Sequence, residues 1–285
     1  MSGVSRSGFV THNGSTIGEM NKTDCASKYA TEQRLWRSGD GYGFSTNNLS
    51  FGYNCSWMNT VTNTSDGASR YSNNKLQMAS IGYKLALGTI KDNAHYEKGA
   101  KFTCEFGASG GVCYPHDTKI SDPSYQYKGD VRLKHEDAVA GPGFMKGLSL
   151  TWDMGTSHTG VINKSNKADE AVSQPDKISV TDVDMNFGMK GNIYPYADVY
   201  AKVGGGYQFI NTTTDGQKTS FNEPFAQGEV GTTILIPVQN SVVTPAISLY
   251  GRLRYGLYNV VHKDTDFQGN PMSGEVGTTL TLKLP

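Results

Sequence analysis

Long hydrophobic runs are missing from this 285-residue chain. No stretch approaches the ~18–20 uninterrupted apolar residues of a membrane helix, and mean hydropathy is −0.46. A helical membrane protein is excluded, whereas a membrane barrel is not, because only alternate residues of its strands meet lipid. An excess of one charge is missing too: 26 basic residues balance 26 acidic ones. No net field gathers nucleic acid, so no nucleic-acid partner is expected. Charged residues are only 18% and apolar ones 36%, below the ~45–50% apolar share of ordinary globular chains.

Cysteine is scarce. Cys25, Cys55, Cys104 and Cys113 form no C-x-x-C pair and have no histidine at ligand spacing, so neither a metal nor a cofactor is expected. Cys104 and Cys113 are close enough in sequence to close a small loop under oxidising conditions, and Cys55 reads as a plain thiol on an apolar face.

Catalytic patterns are equally thin. The one G-x-S-x-G match, Gly107 to Gly111, leads into Val112-Cys113-Tyr114-Pro115 and not into the helix that a nucleophile elbow requires. Gly204-Gly205-Gly206 lies inside a strand pattern and makes no nucleotide cradle. The histidines are scattered, and the only residues that suggest a hydrolase are Asp182, Asp184 and His158. The expectation is a protein that is not an enzyme.

What is abundant is Gly (34 residues), Tyr (16) and strict alternation. A period of two puts one set of side chains on each face of a strand. In Leu49 to Val61 the odd positions carry Leu49, Phe51, Tyr53, Cys55 and Trp57 against Ser50, Gly52, Asn54 and Ser56. In Gln126 to Glu136 one face is Tyr127, Gly129, Val131, Leu133 and His135, and the other holds Gln126 and five charges. The same pattern marks 77–89, 101–109, 147–155, 182–190, 198–209, 227–238, 247–258 and 275–284.

These strands are longer than the ~5–6 residues usual in globular proteins. Short connections near 43–48, 91–97, 137–143, 191–195 and 239–244 alternate with longer polar ones near 62–73, 110–123, 157–176, 211–222 and 262–272. Together these features predict an all-β chain, an antiparallel transmembrane barrel of about 12 strands with short turns on one rim and long loops on the other. A soluble two-sheet sandwich shares the alternation and is the competing reading. About eleven strands lie between Arg34 and Leu284, and a twelfth would fall within Ser5 to Met20. Residues 1–33 would then be a strand, a linker or a plug, with a helix drawable over Ile17 to Trp36, and 34–285 the barrel.

On that reading the polar faces line the lumen: Lys101 and Glu105; Lys128, Asp130, Arg132, Lys134 and Glu136; Asp182, Asp184 and Lys190; Lys202; Glu229; Arg252 and Arg254. A water-filled lumen tolerates such charges, and they would set solute preference or tie the barrel together as ion pairs. Trp57, Trp152, Tyr83, Tyr207 and Tyr255 fall on the apolar faces, as membrane-interface aromatics do. The lipid bilayer is the expected partner and the bacterial outer membrane the expected location. The start, Met1 to Arg6, lacks the apolar core of a signal peptide, which fits a presequence removed and a start Met supplied.

Several segments resemble the C-terminal β-domain of autotransporters. They are Leu35-Trp36-Arg37 followed by Gly39, Tyr194-Pro195-Tyr196-Ala197, Thr244-Pro245-Ala246, Gly206-Tyr207-Gln208-Phe209 and Leu253-Arg254-Tyr255-Gly256, with a Gly-containing last strand from Gly274. The resemblance runs from Arg34 onward. It implies a twelve-stranded barrel threaded by the residues before Trp36, assembled by the outer-membrane machinery and delivering a passenger polypeptide to the surface. That family ends in an aromatic residue, whereas the last residues here are Leu282-Lys283-Leu284-Pro285. Two other functions fit the same architecture: a porin-like channel for ions or small solutes, and a surface adhesin or structural β-protein without a pore.

Overall fold

A computed structural model describes residues 10–11, 34–38, 41–63, 69–91, 100–115, 124–139, 148–162, 176–194, 197–214, 216–236, 243–257 and 271–284. All of its regular elements are strands: β1 (Val10–Thr11), β2 (Arg34–Ser38), β3 (Gly41–Asn63), β4 (Ser69–Lys91), β5 (Lys101–Pro115), β6 (Ser124–Ala138), β7 (Leu148–Ile162), β8 (Lys177–Tyr194), β9 (Ala197–Thr214), β10 (Gln217–Leu235), β11 (Thr244–Gly256) and β12 (Met272–Leu284).

Neighbours in sequence pair antiparallel from β3 to β12, and β12 then pairs with β3, which closes the sheet into a barrel of ten strands. The expected count of about 12 is corrected to ten. Arg34–Ser38, read as a wall strand, is a five-residue piece beside the start of β3, and of the segment expected to hold a twelfth strand only Val10–Thr11, which pairs with β2, lies among the described residues. Tracing partners round the wall from Gly43, through Thr89, Phe102, His135, Trp152, Phe187, Val203, Gly228, Leu253 and Gly274, returns to β3 at Trp57. This stagger tilts the strands. Even the shortest wall strands, of 13 residues, then clear a ~25 Å apolar band at ~3.3 Å per residue and ~45° tilt.

The expected difference between rims is also corrected. On the rim that carries the end of β12, strand-to-strand intervals are 92–100, 139–147, 195–196 and 236–243. On the opposite rim they are 64–68, 116–123, 163–176, 215–216 and 257–271. The two longest share the second rim, but so does one of the two shortest. Segment 211–222, read as a long loop, is instead the tip of the β9–β10 hairpin, where Gln217 pairs with Thr214 and Gly216 takes φ 78°. Asp-Gly is the turn dipeptide for such a hairpin, because Gly adopts positive φ without steric cost. Segment 43–48, read as a turn, lies inside β3.

Wall ends are protected where neighbours differ in length. β12 reaches only to Asn47 of β3, and β2 occupies the same edge from Ser45 to Gly41, which covers unpaired backbone. On the other rim β10 outruns β11. Pro224 sits at that step, its carbonyl accepting from the Leu257 N–H at 2.8 Å, and the end of a ladder is a place that tolerates a residue without an N–H. Residues 58–63 and 69–74 pair only with each other among the described residues, extending the β3–β4 hairpin beyond the wall.

Outside, the alternation is borne out strand by strand. Phe51, Ile81, Phe106, Val131, Met154, Met185, Val203, Val230, Leu249 and Val276 are all exposed on the outer face. A soluble sandwich would bury such a set, whereas this barrel displays it as a continuous band. The inner face is polar over most of its height. Toward the rim of 163–176 it becomes apolar on one side, where Val161, Ile178, Val180 and Ile210 pack with Phe221.

Candidate functional site

The site is the lumen. A cavity of about 770 Å³ occupies it, with Lys101 and Lys283 at one end of its lining and Gln126 and Ser273 at the other. All fourteen residues assigned to the lumen from the alternation line this cavity. Alternation alone put their side chains inside, and strand closure brought them within reach of one another.

β6 to β11 supply the long side chains. Asp153 is the hub: it accepts from Arg132, from Asn186 Nδ2 at 3.0 Å and from Lys202 Nζ at 2.9 Å. Arg132 also reaches Asp184 on β8, at 3.0 Å. Gln227 donates to Asp184 at 3.2 Å and to Asn186 at 2.7 Å. Arg254 crosses from β11 to β8, where it contacts both carboxylate oxygens of Asp182 at 3.1 Å. It also donates to Gln208 at 3.0 Å and lies 3.9 Å from the centre of the Phe225 ring. Arg252 donates to Glu229 at 2.8 and 2.5 Å. Lys190 pairs with Asp198 at 3.0 Å near the rim of 195–196. A guanidinium's planar donors suit such multiple contacts, and an interior charge requires them.

β3, β4, β5 and β12 present a different wall. Their inward positions include Ser50, Gly52, Ser80, Gly82, Gly107, Ser109, Thr279 and Thr281. Lys84 and Lys134 share Glu105 at 3.1 and 2.9 Å, and Glu275 is held by Asn54 and by the Tyr250 hydroxyl at 2.5 Å. Apart from these, many of this wall's inward side chains end one or two atoms from the backbone, and they line the cavity together with the longer residues of the other wall.

Several partners escaped the sequence reading. Lys84, Asp153 and Glu275 sit at inward positions of alternating strands, and Tyr200 and Tyr250 fill space over the inward Gly231 and Gly277. Their phase in the alternation was the available signal. Register adds the rest, since Glu229 stands directly opposite both Lys202 and Arg252.

The outer aromatics fall at different heights. Trp57 covers Gly274, and Tyr207 and Tyr255 lie toward the same rim. Trp152 stacks with His135 near the other rim, ring centres 5.6 Å apart, and Tyr83 sits midway along the β4–β5 pairing. The suggested hydrolase grouping does not form: His158 points outward, to Thr181 at 2.9 Å and toward the Tyr127 ring, while Asp182 and Asp184 point inward. Ser109 lies inside β5, and the strand continues past it to Pro115. Cys104 and Cys113 cannot pair, since they lie on opposite faces of the one extended strand β5, roughly 30 Å apart at ~3.3 Å per residue. Both are free thiols, and so is Cys55.

No family model and no curated protein matches the chain. Among solved structures it is similar to an outer-membrane expressed OmpT of Vibrio cholerae, at 8% identity over 87% of this chain and 99% of that one, with a TM-score of 0.25, a likeness too slight to bear on function. The closed antiparallel barrel, apolar outside and polar within, is of the outer-membrane type.

Proposed function

We propose that the chain spans a bacterial outer membrane and acts as a narrow channel for small solutes. The observation that carries this reading is the cavity that runs along the lumen of a closed barrel whose outer band is apolar. Lipid satisfies that band, and closure leaves no wall strand with an unpaired edge at membrane depth. A water-filled lumen tolerates the inward charges that line the cavity.

A translocator needs room for an extended polypeptide. Here Arg132 and Arg254 cross part of the lumen, and Arg34–Ser38 runs along the wall beside β3 and not through the barrel. The rest of the segment expected to thread the lumen lies outside the described residues. A protein acting through its loops alone has no use for a lined cavity.

The test is conductance of the purified chain in planar bilayers, beside a version starting at Arg34. Stepwise channels of equal size in both are expected. Conductance that appears only after truncation would instead support a plug or threaded linker, and insertion without conductance in either form would remove the channel reading.

A further inference from the structure

We infer that the lumen selects small anions over cations. This rests on the channel reading and names the solute class for the same site.

The inference comes from which member of each interior ion pair faces the open space. Lys84 is 41% exposed against 14% for Glu105, Lys202 21% against 3% for Asp153, and Arg132 18% against the same 3%. The same order holds for Lys134 with Glu105, Arg252 with Glu229 and Lys190 with Asp198. The carboxylates lie against the wall and the cations stand in front of them. Arg254 and Asp182 are equally covered, at 12% and 13%, and both are held among Gln208, Gln227 and Phe225.

Two further features tilt the balance. Among the described residues Lys128 makes no ion-pair contact with a carboxylate, and Glu275 is taken up by Asn54 and Tyr250. The wall of Ser50, Ser80 and Ser109 offers hydroxyls, which can donate to an anion, and the inward acids beside them are already engaged, Glu105 by Lys84 and Lys134 and Glu275 by Asn54 and Tyr250. Asp130 is the exception, and its carboxylate lies against the wall over Gly107.

An ion in the open volume therefore meets ammonium and guanidinium groups before the acids behind them. Coulomb energy falls with distance, and salt screens over ~10 Å at 0.1 M. The nearer charge prevails, although the formal charges nearly cancel. Chloride, inorganic phosphate and small carboxylates are the solutes this arrangement favours.

The test is the reversal potential of the full chain in bilayers under a KCl gradient. The expected result has the sign of chloride permeation, and K84E together with K128E should bring the chloride-to-potassium permeability ratio to one or below. In the unmodified chain, replacing chloride by gluconate should reduce current more than replacing potassium by tetraethylammonium, a readout that stands even where the double variant does not assemble. Potassium-selective or unselective current would overturn the inference and leave the channel standing, whereas insertion without current would overturn the channel itself.

Discussion

Two walls of one barrel differ more than their shared backbone pairing suggests. From β6 to β11 the inward residues are long and interlocked, with Asp153, Asp184 and Asp182 each engaged by an arginine. Along β3 to β5 many inward side chains are hydroxyls or hydrogen, and they share the lining of the cavity with the longer residues opposite. A ten-stranded barrel encloses too little volume for long side chains on every strand. Small residues on one side leave room for the long ones opposite. Side-chain size shapes the corridor, and the order of charges within the pairs decides what it presents.

The comparison breaks most completely if the small wall is filled. S109F should cut single-channel conductance several-fold while the barrel still inserts, because the ring enters open volume and displaces no partner. D153A attacks the other wall. It strips Arg132, Lys202 and Asn186 of a shared acceptor, and a loss of about 3–5 kcal/mol is expected from leaving buried charge uncompensated, measured as a lowered urea midpoint of unfolding. I210A removes methyls from the apolar cluster at the end of the same wall. It should cost about 2–4 kcal/mol with conductance little changed, which would separate stability from the corridor.

The last contrast is one of height on the outer face. Val230, 60% exposed at mid-wall, and Ile193, 69% exposed near the end of β8, are chemically alike and differ in depth. V230R should destabilise the barrel in lipid by ~2–4 kcal/mol and I193R by ~0–1. Equal costs in a lipid-vesicle folding titration would contradict a membrane-spanning band.

Much of this was legible beforehand. Phe51, Tyr53, Trp57 and their counterparts announce an outer face because the period of two survives whatever the strands pair with. The lumen charges follow from the same phase. Strand count and rim assignment were not legible, and particular residues show why. Beyond the apolar band a strand has no reason to alternate, so Thr212, Thr213 and Lys218 to Ser220 read as loop although they continue the β9–β10 hairpin. Gly43 to Asn48 look like a turn, yet β2, β12 and β4 hold them extended. Arg34–Ser38 reads as a wall strand, but β12 already occupies the adjoining length of β3.

Local alternation thus sufficed for the all-β class, the two faces and the identity of the inward residues, since each follows from backbone geometry within a single strand. The count of ten, the stagger, the pairing of the interior charges and the greater exposure of most cations than of their carboxylates depend on which strands meet. Those are relations between residues as far apart in sequence as Asn54 and Glu275, and only closure of the sheet brings them together.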